Sequence, residues 1–385
     1  MAVKILSVFG TRPEAIKMAP VLLELQRRSS DFQSLVCVTA QHREMLDQIM
    51  RSFNLTADFD LNVMTEAQSP AEVAARVLEL LPRVLRSVKP DMVLVQGDTT
   101  TTCAAAMSAF LERIPVGHVE AGLRTGNLEQ PFPEEMNRRV TTVVSTLHFA
   151  PTHDASKALL AEGVPAERVI YAGNTVIDAL LRSLRKDYQF ADPHLAALPR
   201  DRKVLLVTMH RRESIGEPMR HVTEALLRIR KTHPDLVIVI PTHRNPAVRE
   251  IVFNALADKA GIVLIDPLPY LDFLHLMDRS YLILTDSGGV QEEAPSLKRP
   301  VLVIREVTER PEGVACGVAK LVGTDPERIY QAVHQLLTNV TAYRSMIGTE
   351  NPYGDGRAAE RIVDAIVAWG RARTTPELAA IAKTA

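Results

Sequence analysis

The stretch 91-DMVLVQGDTTTTCAAAMSAFLER-113 decides the fold. Met92 to Gln96 is apolar on both faces of an extended chain, whereas a strand exposed on one side would alternate apolar and polar residues. A run of small, helix-compatible residues follows at once. A strand buried on both faces and followed directly by a helix is the repeating unit of a parallel sheet covered by helices. The same pairing recurs on either side. KILSVFG (4–10) leads into a helix from about Arg12, and FQSLVCVTA (32–40) into one over HREMLDQIMRSF (42–53). IPVGHVEAG (114–122) and TLHFAP (146–151) add further strands.

A second series starts after GNTVIDALLRSLRK (173–186) and the polar, proline-bearing connection DYQFADPHLAALPRDRK (187–203). KVLLVTMH, DLVIVIPTH, IVLIDPLP, YLILTDSGG and PVLVIR are five strand candidates, each followed by a plausible helix. A chain of 385 residues is long for one core, and the expectation is two doubly wound α/β domains facing a central cleft. The first spans 1–172 and the second 173–365, with GNTVIDAL as the hinge. Two courses are open to a last helix near 366–385, which either stays with the second domain or packs back on the first.

Composition narrows the partners. Apolar residues make up 46% of the chain and charged residues 24%, with a formal net charge of −1. No basic field points to nucleic acid or an anionic membrane, so an acidic ligand must be met by local cations. Cys37, Cys103 and Cys316 are far apart, with no metal or disulfide spacing, and the apolar run at the N-terminus is too short for a signal or a span. A soluble protein of the cytoplasm, with no metal, is expected.

Doubly wound sheets bind ligands outside the carboxyl ends of their strands, which makes the strand-ending residues the informative ones. FGTRPEAIKMAP (9–20) has one glycine where a dinucleotide fingerprint needs three, and it lacks Gly-Lys-Ser/Thr, so neither NAD nor an ATP γ-phosphate is expected there. It offers Arg12 and Lys17 around a helix start that Pro13 can open: an anion pocket, or a solvated helix end. Asp98 ends a central strand and Glu120 another, while PFPEEMNRR (131–139) sets Glu134 and Glu135 at a helix start. Each acid alone reads equally as a cap or a dipole partner. Together they give one domain proton-transfer capacity without a metal-like Cys or His cluster.

The second domain gathers cations. VTMHRRES (207–214) ends a strand with His210, Arg211 and Arg212; PTHRNP (241–246) adds His243 and Arg244; REVTERPEGV (305–314) adds Arg305 and Arg310. LTDSGGVQEEAP (284–295) sets Ser287, Gly288 and Gly289 at the mouth of a helix, ahead of Glu292 and Glu293. Two readings stay open. The glycines serve tight geometry and the glutamates the helix dipole, or the bare N–H groups take phosphate and a carboxylate takes a sugar diol. A phosphate-bearing group held by the second domain, with proton chemistry presented by the first, is the simplest division of labour.

In order along the chain, GTRPEAIKMAP, QGDTTTT, HVEAGLRT, PFPEEMNRR, HRRES, LTDSGGVQEEAP and TERPEGV resemble the motifs of the bacterial non-hydrolysing UDP-N-acetylglucosamine 2-epimerase family. The resemblance implies two Rossmann-like domains in a GT-B-like architecture, a homodimer, no cofactor, and interconversion of UDP-GlcNAc and UDP-ManNAc for cell-envelope polysaccharide. By position it implies that Arg12, Ser287, Gly288, Gly289 and Arg310 hold the diphosphate, Glu293 the ribose hydroxyls and Phe273 the uracil. Lys17, Asp98, Glu120, Glu134 and His210 would line the reacting sugar and its leaving group. The route it implies is elimination of UDP to a 2-acetamidoglucal, then re-addition with a proton delivered to the other face of C2.

The chain departs from the family at several positions. Leu268 stands where a glutamine near the base is common. Some members bind a second UDP-GlcNAc as activator through a glutamine-rich stretch and an arginine. Gln41, His42 and His243 are present here, but Glu44 replaces a second glutamine and Ala67 falls about where the arginine would be. A carboxylate gained and a cation lost both weaken a diphosphate site, so activation by substrate is not expected. Three other readings compete: an epimerase of a related UDP-N-acetyl uronic acid or diacetamido sugar, a glycosyltransferase of the same architecture, and a non-catalytic nucleotide-sugar sensor. The three acids argue against the sensor, which needs only the binding half.

Overall fold

The computed structural model describes residues 2–39, 43–64, 68–211 and 214–374, without the side chains of 43–45, 373 and 374. The chain separates into two compact units, dividing between Ala179 and Leu180 and again between Tyr353 and Gly354.

The first unit is built on a seven-stranded parallel sheet. Its strands are β1 (Val3–Phe9), β2 (Phe32–Val38), β3 (Phe59–Asp60), β4 (Met92–Gln96), β5 (Val116–Val119), β6 (Leu147–Ala150) and β7 (Val169–Tyr171), in the order β3-β2-β1-β4-β5-β6-β7. All of β4 is buried, as the opening stretch of sequence requires of a central strand. Leu6 and Val8 of β1 and Val93 and Val95 of β4 face the helix Pro70–Val88. That helix starts on a Ser69/Glu72 capping box and buries Val73, Val77, Leu81 and Leu85, a four-residue spacing that puts one apolar stripe against the sheet. Full burial of each such side chain contributes roughly 1.5–3 kcal/mol.

The second unit repeats the plan with β8 (Val204–Thr208), β9 (Val237–Pro241), β10 (Ile262–Ile265), β11 (Leu282–Thr285), β12 (Val301–Val303) and β13 (Ala319–Leu321), in the order β10-β9-β8-β11-β12-β13. Leu205 and Val207 enter one core, Val204 and Leu206 the other. Both faces are covered, which is why the sequence of β8 shows no polar alternation. In each sheet the strand order reverses beside the first strand, between β1 and β4 and between β8 and β11, the switch point outside whose strand ends sheets of this kind bind ligands.

The unit boundaries fall at 179 and 353, where the sequence reading placed 172 and 365. Local chemistry accounts for both shifts. Buried Asp178 accepts from the backbone N–H groups of Ala358 (3.1 Å) and Ala359 (2.8 Å), capping the last helix, Ala358–Thr374, onto the first unit. That helix also meets the end of the helix Arg12–Arg27 through Arg28 and Asp364, 2.5 Å apart. Tyr353 stays with the second unit. Its buried phenol accepts from Gly313 N (2.9 Å) and donates to Arg310 O (3.1 Å). Three strands were not anticipated, β3, β7 and β13. Each has only two or three residues and lies at a sheet edge. Among the described residues no helix is long and apolar enough to cross a membrane.

Candidate active site

In the first unit the candidate residues sit at the carboxyl ends of β1, β4 and β5. Thr11 caps the helix Arg12–Arg27 and forms a capping box with Glu14, with Pro13 at the second helical position. Glu14 does more than cap. Its buried carboxyl accepts from Gly10 N (3.2 Å) and Thr11 N (2.7 Å) on one side, and from the hydroxyls of Thr99 (2.9 Å) and Thr102 (3.1 Å) on the other. The loops after β1 and β4 are thereby fastened together. Burial raises the pKa of this carboxyl above the usual range even though four donors pull it down.

One turn along the same helix, Lys17 Nζ lies 2.7 and 2.6 Å from the two oxygens of Glu120. Gln96, at the end of β4, donates to the same carboxylate. Glu120 follows β5 with a backbone φ of 64°, a left-handed conformation that costs a non-glycine residue about 1 kcal/mol or more. The strained turn aims a nearly buried carboxylate at the strand ends.

Asp98, after β4, is gripped by Arg138 through Nε (2.9 Å) and Nη2 (2.7 Å), while Asn137 donates to the Asp98 carbonyl (2.9 Å). Both partners lie on the helix Glu134–Val144, which is thus pinned to the β4 end. Glu135 faces inward and accepts from Thr125 N (3.0 Å), Gly126 N (3.2 Å) and Arg138 (3.2 Å). Burial alone would raise its pKa, but these donors hold it below the usual range. Glu135 is therefore structural. Glu134 differs, because its Oε2 is buried with no hydrogen-bond partner among the described residues. A buried polar atom without a partner is the exception in folded proteins. Arg12 is exposed at the start of its helix.

In the second unit the two glycines lie at the turn after β11. Neither Gly288 nor Gly289 has a left-handed backbone, and a Cβ at either would meet no protein atom closer than 3.9 Å. Tight geometry does not require them. The atoms nearest a Cβ on Gly288 would be the guanidinium nitrogens of Arg211 and Arg310, each 3.9 Å away. Two cations thus flank bare backbone at the start of the helix Gly288–Glu293, an arrangement suited to phosphate. Buried Glu292 receives Arg310 Nε and fixes the guanidinium, so its role goes beyond a dipole partner. Arg211 Nε is buried and unpartnered among the described residues.

His210 lies two residues past the end of β8, and its Nδ1 lies 2.8 Å from Oδ1 of buried Asp286. Glu293 is buried beside Tyr270, whose phenol is held well above its usual pKa by burial and by the Glu293 charge. Phe273, Leu268 and Tyr270 pack on one apolar cluster as partly buried side chains, a surface that suits a planar base. Arg305 pairs with Glu309 (3.5 Å), and exposed His243 accepts from Asn245 N (3.1 Å). Gln41, His42, Ala67, Arg212 and the side chain of Glu44 lie outside the described residues. Among the described residues no group of three or more His, Cys, Asp or Glu is placed to hold a metal ion.

The sequence reading thus names Lys17, Glu120, Asp98, Glu134, His210, Gly288 and Arg310, and the structure brings those of each unit to the carboxyl ends of its sheet. It missed Glu14, Gln96, Arg138 and Asp286, which hold them, and gave Glu292 only a dipole role. Only position relative to a strand end could have pointed to Gln96 and Asp286. The other three depend on side-chain direction.

The family model for UDP-N-acetylglucosamine 2-epimerase matches residues 24–367. The UDP-N-acetylglucosamine 2-epimerase of Neisseria meningitidis serogroup A is 50% identical over 372 residues, covering 94% of this chain and 99% of the relative. That of Bacillus subtilis is 51% identical over 364 residues, covering 94% and 95%. The crystal structure of the Neisseria meningitidis UDP-GlcNAc 2-epimerase bound to UDP-GlcNAc matches with a TM-score of 0.87 at 49% identity, over 95% of this chain and all of that one (100%). With half of its residues identical along nearly its whole length, the chain belongs to the UDP-N-acetylglucosamine 2-epimerase family, a family of isomerases.

Proposed function

We propose that the protein interconverts UDP-N-acetylglucosamine and UDP-N-acetylmannosamine. The C2 hydrogen of the sugar is not next to a carbonyl, so direct deprotonation is very slow. An elimination avoids the difficulty. A carboxylate takes the C2 proton as the C1–O bond to UDP breaks, leaving a C1=C2 double bond in 2-acetamidoglucal. UDP oxygen then re-forms the bond to C1 while an acid on the opposite face returns a proton to C2. The sum is an isomerisation with no net redox change, so no hydride carrier is required.

Two faces call for two proton-transfer groups, and Asp98, Glu120 and Glu134 are the candidates. Arg12, Arg211, Arg310 and the N–H groups of Gly288 and Gly289 take the diphosphate, Glu293 the ribose and Phe273 the uracil, and His210 supports the departing UDP. The observation that carries the chemistry is Glu120. A carboxylate set on strained backbone at the carboxyl end of β5, with Lys17 on both oxygens, is costly for a module that only binds a neutral sugar.

The test is incubation of the protein with UDP-GlcNAc alone in D2O, followed by proton NMR. UDP-ManNAc carrying deuterium at C2 is the expected product. An unchanged sugar, with UDP binding demonstrated, moves the assignment to a transferase or to a related UDP-sugar. The same reading makes the protein a cytoplasmic homodimer that supplies cell-envelope polysaccharide precursors. Exposed Phe110, Leu111 and Val143 are apolar surface that such a dimer would cover, and sedimentation velocity at micromolar concentration tests it: a monomer there removes the dimer from the reading.

A further inference from the structure

We infer that Asp286 is a positioning residue for His210, holding Nδ1 of the ring toward the sheet so that Nε2 is the nitrogen presented to the departing diphosphate. The inference rests on the epimerase reading above and deepens it by assigning the imidazole tautomer.

Asp286 follows β11 and is fully buried. Its two oxygens do different things. Oδ2 accepts from the backbone N–H groups of His210 (2.8 Å) and Arg211 (2.9 Å), and Asp286 N donates to Thr208 O (3.3 Å), so the carboxylate cannot move away from the end of β8. Among the described residues Oδ1 has no aligned hydrogen-bond donor, and His210 Nδ1 lies 2.8 Å from it. A buried carboxylate oxygen without a proton to accept is unfavourable. The ring nitrogen facing Asp286 is therefore the one that carries hydrogen.

In a neutral imidazole one nitrogen donates and the other accepts, so fixing the proton on Nδ1 leaves Nε2 for the ligand. The ring is 41% exposed, and contacts of this kind align fully only when the reacting complex forms. As imidazolium, the ring donates from Nε2 to the phosphate oxygen that accumulates charge as the C1–O bond breaks. Among the described residues three groups face or adjoin the ring: Asp286 from the end of β11, His243 from the loop after β9 at a ring separation of 6.3 Å, and Arg211 from its own loop. Burial would by itself push Asp286 up, but His210 and the two N–H groups hold it below the usual carboxylate range, so it is ionised at neutral pH.

The first measurement uses the unmodified full-length protein with 15N-labelled histidine, the His210 signals being assigned from His210→Asn. The neutral ring is expected as the Nδ1–H tautomer, with UDP moving the Nε2 signal more than the Nδ1 signal. A dominant Nε2–H tautomer overturns the inference even if no variant folds. In Asp286→Asn the Nε2–H tautomer is expected to gain at least about tenfold in population. The kcat for epimerisation should fall about 10- to 100-fold while the Kd for UDP changes less than about threefold. The cycle is closed with His210→Asn, in which adding Asp286→Asn should cost less than about twofold. Equal losses in both backgrounds would mean that the carboxylate only pins backbone, and the inference falls. If the wild-type protein makes no UDP-ManNAc, the epimerase reading fails while the tautomer measurement still decides the role of Asp286.

Discussion

Glu120 and Gly288 carry opposite kinds of constraint, and each can be separated from the rest by one substitution. Glu120 is held by Lys17 and Gln96. Glu120→Gln keeps the shape and removes the base, so kcat should drop by about 10²- to 10⁴-fold with UDP affinity unchanged, because Glu120 is not among the groups assigned to UDP. Lys17→Met leaves the carboxylate nearly buried without its cation, which should cost ~3 kcal/mol of stability and show as a lower urea midpoint with an unaltered slope. Gly288→Ala reverses the pattern. The methyl has room in the protein and no left-handed backbone to strain, so stability should hold or rise by up to ~1 kcal/mol. The same methyl occupies the space between Arg211 and Arg310, so UDP should bind at least about tenfold more weakly by calorimetry. A fall in stability with unchanged UDP affinity would show that the glycine serves the turn after all. These residues were legible because strand ends are where such sheets bind ligands. Glu134 and Glu135 show the limit of that signal. Adjacent in sequence and alike in chemistry, Glu135 is tied to Thr125, Gly126 and Arg138, while Glu134 keeps a buried oxygen without a hydrogen-bond partner among the described residues. Which side of a helix each occupies is a matter of angle that two consecutive letters do not carry.

Elements, unlike single side chains, are specified by repetition, and the parallel strands were legible where both faces are buried. β4 and β8 are such strands. β3, β7 and β13 are not: they are edge strands of two or three residues whose pairing depends on a neighbour already in place. The capping box at Thr11 and Glu14 is likewise half legible. The Thr-x-x-Glu spacing announces a helix start, but nothing local announces that the same carboxyl also takes Thr99 and Thr102 from another loop. Glu14→Ala should therefore cost more than an ordinary cap, about 3 kcal/mol instead of about 1, and lower activity by loosening both loops that carry catalytic candidates. Glu14→Gln should cost much less, since burial already favours the uncharged form of this carboxyl. Urea unfolding of the pair gives the comparison, and similar losses from both substitutions would make charge, and not the hydrogen-bonded bridge, the quantity that matters.

At the scale of the whole molecule, acid should act on the first unit through its interior histidines. His118 and His148 are buried on β5 and β6. His118 donates from Nε2 to Gly97 O at 2.7 Å, and among the described residues Nδ1 of each ring is buried without a hydrogen-bond partner. A second proton on His118 would add a buried N–H donor with no acceptor among the described residues. Burial accordingly pushes His118 down to about 3 and His148 down to about 4, from 6.5. Between pH 6.5 and about 4 the unfolded chain binds both protons and the folded unit binds neither. The stability is thus fully present above pH 6.5 and is lost as pH falls, at about 1.4 kcal/mol per pH unit for each ring. Glu14 works in the opposite sense. Its raised pKa stabilises the folded unit below the ordinary carboxylate range, and that contribution is lost as pH rises through the folded value, so it offsets part of the histidine slope. The protein carries its own reporter. The one tryptophan of the chain, Trp369, lies on the helix Ala358–Thr374 that Asp178 caps onto the first unit, so its fluorescence follows that unit. The free energy of the urea transition it reports should fall steadily from pH 6.5 to 4.5, starting well above the carboxylate range. His118→Gln, which retains a donor for Gly97, should flatten that slope by about 1.4 kcal/mol per pH unit, whatever it does to stability at pH 7. An unchanged slope would mean that His118 takes up its proton without unfolding, and the acid response would then belong to the carboxylates.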